Sequence, residues 1–179
     1  PVPADGQKAA TLALATEVAA LGAGRGSIRA VARAIEGASH DPWMCAKAHV
    51  AIATHLLDES KGLEFDVGQR RQVKNLKARA SLIVDAESHI AAAVRLEQVE
   101  WILRGMLALG DAYADLADDL EGSRPPRGAD PSVYGAALEQ KSQVIRAKAY
   151  TAYDQGLVVA GRFAVQGELP ETLKSRRDG

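Results

Sequence analysis

The chain cannot form an internal disulfide, because Cys45 is its only cysteine and a bridge needs two. Within a stretch of helical periodicity, Cys45 reads as a small buried apolar residue rather than a reactive thiol. Aromatic residues are scarce, at 4%, although hydrophobic residues make up 47% of the 179 positions. The apolar surface therefore comes from Ala, Leu, Val and Ile, which suit helices that approach closely, and Ala has the highest helix propensity of all residues. Neither charge sign is in excess: 22 basic against 23 acidic side chains leave a formal net charge of -1. Such a balance supplies no field to draw nucleic acid or an anionic membrane. No apolar run approaches the roughly 18 residues of a bilayer-spanning helix, and no alternating strand pattern occurs. The chain opens Pro1, Val2, Pro3 with neither an initiator Met nor a signal-peptide pattern, which predicts a mature form or a segment of something longer. One domain, or a short array of helical repeats, fits this length.

What the sequence does have is helix punctuation. Asp41-Pro42 and Asp130-Pro131 each place a capping carboxylate before a proline at the first helical position, where the missing N–H costs nothing. Ser27 and Asp66 are further cap candidates, while Gly22, Gly37, Gly62, Gly122 and Gly167 follow periodic runs and are expected to close them in the left-handed conformation. Six helices are predicted, near 5–21, 27–36, 41–61, 66–93, 97–121 and 130–166. A turn at Val94 to Leu96 separates two stripes that are out of phase: Val73, Leu76, Leu82, Ile83, Ile90 and then Val99, Ile102, Leu103, Met106. Unbroken, 66–121 would make a helix about 84 Å long. The fifth helix carries Met106, Gly110, Tyr113, Leu116 and Leu120 on one face, and the sixth carries Tyr134, Leu138, Ile145, Ala149, Ala152, Gly156, Ala160 and Phe163. In the latter, Ala149, Ala152, Gly156 and Ala160 form a strip that admits a close neighbour. The connection from Gly122 to Asp130 is polar and proline-rich, and is expected to be ordered but exposed. Trp43 and Trp101 read as core anchors.

Arg70, Lys74 and Lys77 share a face of the fourth helix, and Asp111, Asp115 and Asp118 a face of the fifth. An antiparallel fold about residue 95 sets Lys77 near Asp111 to Asp115, Lys74 near Asp115 and Arg70 near Asp119. Two solvated faces are the plainer alternative.

No motif announces chemistry. His40, His49, His55 and His89 fall in neither HExxH nor Glu-x-x-His, the pattern that a helical metal bundle needs. His49 reads as a helix-edge residue beside Ala46, Val50, Ala53 and Leu57, and His55 with Asp58 as an i, i+3 pair without a role. GAGRGS, with Gly22, Gly24 and Gly26 before Ser27, resembles a phosphate loop superficially, but a helix precedes it instead of a strand and the lysine before Ser27 is missing. Leu169, Pro170, Glu171, Thr172 match part of a sortase motif, with Leu173 where glycine is required; a frayed tail is expected there. No catalytic, cofactor-binding or metal-binding residue is assigned, and no cofactor is expected.

Leu109, Gly110, Tyr113 reproduce the Leu-Gly-x-x-Tyr core of the first helix of a tetratricopeptide repeat, and Ala149, Tyr153, Gly156 resemble the small, aromatic, small spacing of the second, across an insertion longer than a repeat allows. Over residues 104–163 the chain resembles the terminal helices of large tetratricopeptide-like proteins, including those of myxobacterial gliding-motility machinery. The resemblance implies an all-α fold of antiparallel helix pairs stacked as a short solenoid. It also implies a scaffold role in a protein assembly, in the periplasm or held at the outer membrane by a separate lipid anchor; without it, a cytoplasmic address is equally compatible. It implies no cofactor and no catalytic residue.

Three functions compete on these grounds. The first is an interaction module whose concave face holds a peptide or helix from a partner. The second is a self-associating helical domain that uses the small-residue strip. The third is an all-α enzyme or ligand binder drawing on His49, His55 or Asp58. The expected partners are other proteins, with no nucleic acid and no direct membrane insertion.

Overall fold

Local chemistry sets most of the boundaries in the computed structural model, which describes residues 4–64, 69–125, 128 and 130–179. Every regular element among them is a helix, and there are seven: α1 (Ala4–Gly22), α2 (Ile28–Gly37), α3 (Pro42–Lys61), α4 (Gln69–Arg95), α5 (Val99–Glu121), α6 (Pro131–Arg162) and α7 (Glu168–Asp178). Asp66, a predicted cap, lies outside the described residues, as do Pro126, Arg127 and Ala129 of the predicted 122–130 excursion. The Asp-Pro starts hold: Asp41 accepts from the Met44 N–H at 2.9 Å, and Asp130 from those of Ser132 at 2.8 Å and Val133 at 3.4 Å. Ser27 caps α2 through the Ala30 N–H at 3.2 Å.

The helix ends correct the glycine expectation. Gly62 (φ -68) and Gly122 (φ -74) remain right-handed, because their N–H groups simply continue the helical pattern onto the Asp58 and Asp118 carbonyls. After α1 the left-handed position falls to Gly24 (φ 68). There Arg25 and Gly26 both donate to the Ala20 carbonyl at 2.9 Å, and a Cβ on Gly26 would sit 2.9 Å from the Leu21 Cα. GAGRGS is therefore a helix reversal in which two glycines have steric duties.

At two helix ends the left-handed residue is not a glycine. Glu97 (φ 57) pivots α4 into α5, and Ala164 (φ 50) ends α6, where Val165 donates back to the Ala160 carbonyl at 2.9 Å. For that reason α6 stops at Arg162 instead of 166, and Phe163, expected on the buried face, is 52% exposed. The expected frayed tail is α7, anchored by Leu173 at 0% exposure.

Among the described residues each helix packs only against the nearest one or two in the chain on either side. α1 meets α2 and α3, α2 meets α3, α3 meets α4 and α5, α4 meets α5, α5 meets α6 and α7, and α6 meets α7. The odd helices thus form a continuous row, and α2, α4 and α6 each lie against odd helices alone. One apolar cluster runs the length of this arrangement, through Leu14, Val31, Ile52, Ile83, Leu103, Tyr153 and Leu173. Side-chain pairs fix directions: Tyr113 with Glu87 and Asp119 with Arg79 set α4 antiparallel to α5, and Arg146 with Asp118 and Tyr153 with Asp111 set α6 antiparallel to α5.

The predicted cation partners are corrected. Arg70, Lys74 and Lys77 lie on the exposed face of α4. The residue that meets Asp119 is Arg79, which continues the buried stripe Ile83, Ala86, Ile90, Ala93 and is itself 2% exposed. Asp115 pairs instead with Lys61 at 2.7 Å, Asp111 with Arg176 at 3.0 Å and Asp118 with Arg146 at 2.9 Å. The pivot lies at Glu97 rather than at 95, which shifts the register, and α4 spends most of its buried face on α3.

Candidate functional site: a groove along the odd helices

A groove of about 530 Å³ runs over α1, α3, α5 and α7, within the size range of binding clefts. On α3 its lining recurs with helical spacing at Lys47, Val50, Ala51, Thr54, His55 and Asp58, and on α5 at Trp101, Arg104, Leu107, Ala108 and Asp111; Val18, Leu21 and Gly22 of α1 and Leu169 of α7 complete it. The two floor helices run parallel, since Trp43 meets Trp101 near their starts and Lys61 meets Asp115 near their ends.

The end nearer the helix starts is aromatic and basic. Trp43, expected in the core, is 44% exposed and meets Trp101 edge to face, with ring centroids 5.4 Å apart at 71°. The Lys47 ammonium lies 5.5 Å from one ring and 5.7 Å from the other, and the Arg104 guanidinium lies 5.5 Å from Trp101, all within cation–π range. Arg104 also pairs with Glu100 one turn earlier at 3.1 Å. The opposite end is acidic. Asp111 accepts from the Tyr153 hydroxyl at 2.9 Å and from Arg176 Nε at 3.0 Å. Burial, and then the bond to Asp111, push the Tyr153 hydroxyl well above the ordinary tyrosine range. Small Ala51 and Ala108 in the middle leave room for an incoming backbone.

The structure separates the histidines. His55 and Asp58 line the groove, with no hydrogen bond between them. His49 turns away toward α4, where its Nδ1 lies 3.1 Å from that of His89. Burial comes first in lowering both pKa values; the His89 and Arg95 charges add to the effect on His49, and Asp85 opposes it on His89. His40 Nε2 lies 3.2 Å from Thr11 Oγ1 at the α1–α3 contact. Among the described residues no group of three or more His, Cys, Asp or Glu side chains is placed to hold a metal. Cys45 is buried with Sγ 3.2 Å from the Ala38 carbonyl, and burial pushes its thiol upward, away from reactivity. No helix among the described residues is long and apolar enough to cross a membrane.

The small-residue strip faces inward. Ala149, Ala152 and Ala160 are at most 3% exposed, and Gly156 lies against Leu173 and Met106. Sequence reasoning missed the Trp43–Trp101 pair. Its only signal was that Lys47, Thr54 and Asp58 put polar groups on the α3 face next to the core stripe. Comparison with protein-family models, with curated proteins and with solved structures returned no match.

Proposed function

We propose that this chain is a non-catalytic interaction module, a short tetratricopeptide-like solenoid whose odd-helix groove holds a segment of a partner protein. The groove itself carries the reading: an apolar floor with charged ends, open along α3 and α5 and lined by side chains from four helices. Packing restricted to neighbours in sequence is the habit of helical repeat arrays, which use such faces for binding. The close approach of α6 to Gly110 supports the same kinship. The resemblance to motility-scaffold proteins adds the proposal that the partner belongs to a cell-envelope assembly.

A photo-crosslinking residue placed at Thr54, in the groove, and separately at Ser81, on the exposed face of α4, tests this in lysate of the source organism. The expected result is a discrete adduct with another protein from position 54 and none from 81. Equal labelling from both positions, or none from 54, would sink the proposal, and an adduct of twice the chain's mass would assign the groove to a second copy.

A further inference from the structure

The geometry points to an occupant with a set charge pattern. We infer that the groove takes an apolar helix of another protein that bears a carboxylate over Lys47 and Arg104 and a cationic side chain over Asp58 and Asp111. This deepens the reading of the groove as a protein-binding site and rests on it.

Pairing singles out two residues. Around the groove, Arg104 is matched by Glu100, Asp111 by Arg176 and Asp115 by Lys61. Among the described residues Lys47 has only the two indole rings for company, and Asp58 has no cation. Asp58 stands in the last turn of α3, where the carbonyl ends disfavour a carboxylate. Charges held without an ion-pair partner are available to something that enters the groove. The parallel course of α3 and α5 puts like with like among the charges that line the groove, Lys47 with Arg104 and Asp58 with Asp111.

Spacing sets the occupant's pattern. Eleven residues of α3 separate Lys47 from Asp58, about 16 Å along the axis, and a helix lying alongside needs its opposite charges about three turns apart. Between them the floor is Val50, Ala51, Leu107 and Ala108, whose small members let a helix backbone settle close. Trp43, exposed beside Lys47, would flank the carboxylate end and shield that pair from water.

The test uses the full chain and four synthetic Leu/Ala-rich helical peptides without Trp or Tyr. They carry, at two positions eleven apart, Glu and Lys, two Glu, two Lys, or two Gln. Emission from the only tryptophans, Trp43 and Trp101, reports occupancy. The Glu/Lys peptide is expected to bind roughly tenfold more tightly than either like-charged one, about threefold from the attraction gained and about threefold from the repulsion avoided at the one end that differs, with the margin shrinking as salt is added. Lys47→Glu should transfer the preference to the two-Lys peptide, and Asp58→Lys to the two-Glu peptide; Asp58 is exposed and Lys47 half-buried, and near-UV circular dichroism checks the fold of each variant. Equal binding of all four peptides would overturn the charge pattern while leaving an apolar binding groove. Binding of none up to millimolar peptide would overturn the groove reading as well.

Discussion

The ring of Tyr153 occupies the space where a side chain at Gly110 would begin. A Cβ built on Gly110 falls 2.7 Å from the Tyr153 Cζ and closer still to Cδ1 and Cε1, while the hydroxyl reaches past it to Asp111 at 2.9 Å. The missing side chain lets α6 lie directly on α5, and the phenol fills the space with both packing and a hydrogen bond.

Gly110→Ala should therefore destabilise the fold by about 1–3 kcal/mol, the usual cost of overpacking, despite the better helix propensity of alanine. Tyr153→Phe keeps the ring and should cost about 1 kcal/mol through Asp111. Urea denaturation measures both. Combining Gly110→Ala with Tyr153→Ala should cost less than the sum, because the clash is then gone; strict additivity would show that the two residues do not share this space.

Leu173→Ala should cost about 2–5 kcal/mol, because Leu173 is fully buried and packs on Gly156 of α6. Lys174→Ala, at the exposed neighbouring position, is the control, expected within about 0.5 kcal/mol of the parent. Indistinguishable thermal transitions for the two variants would return α7 to the status of a loose tail.

The His49–His89 contact makes stability fall on mild acidification. Burial lowers both pKa values in the folded chain, whereas the unfolded chain titrates near the ordinary value of about 6.5. Below that value the unfolded state binds more protons. The contribution is thus complete above about pH 6.5 and is lost as pH drops toward the folded values. Arg95 reinforces the effect at His49, and Asp85 tempers it at His89. Urea midpoints taken on either side of neutrality should show a shallower acid slope for His89→Gln than for the parent; parallel slopes would contradict the assignment.

At alkaline pH the sign reverses. Burial, with the bond to Glu87, raises the Tyr113 hydroxyl as burial and Asp111 raise that of Tyr153, so both stay protonated in the folded chain after the unfolded one has begun to ionise near pH 10. Their contribution is complete below about pH 10 and decays above it. Phenolate absorbance followed through an alkaline titration should show Tyr113→Phe and Tyr153→Phe each removing a late-titrating group, and loss of an early-titrating group instead would refute the assignment.

The sequence announced elements where the chemistry was local. Asp-Pro at 41–42 and 130–131 carries cap and first turn in adjacent residues, and both helices start as read. The α4–α5 turn was legible only through the change of stripe phase, since Glu97 supplies the left-handed turn that glycine usually marks. Ala164 does the same after α6, and α7 offers only two large apolar residues, Leu169 and Leu173, which is too short a pattern to reveal a period. Of the groove, the spacing on α3 was visible in principle, but the pairing of Trp43 with Trp101 joins residues 58 apart, and His49 with His89 joins residues 40 apart. Neither leaves a trace in local periodicity.

Since among the described residues no helix touches another more than two elements along the chain, none of these contacts requires the two ends of the row to find one another. The order of assembly is a sequence of short closures, a topology that favours fast folding, and strength need not be uniform along the row. Amide exchange should therefore grade from the outermost helices toward the middle of the row, with α3 and α5, which have neighbours on both sides, the last to open.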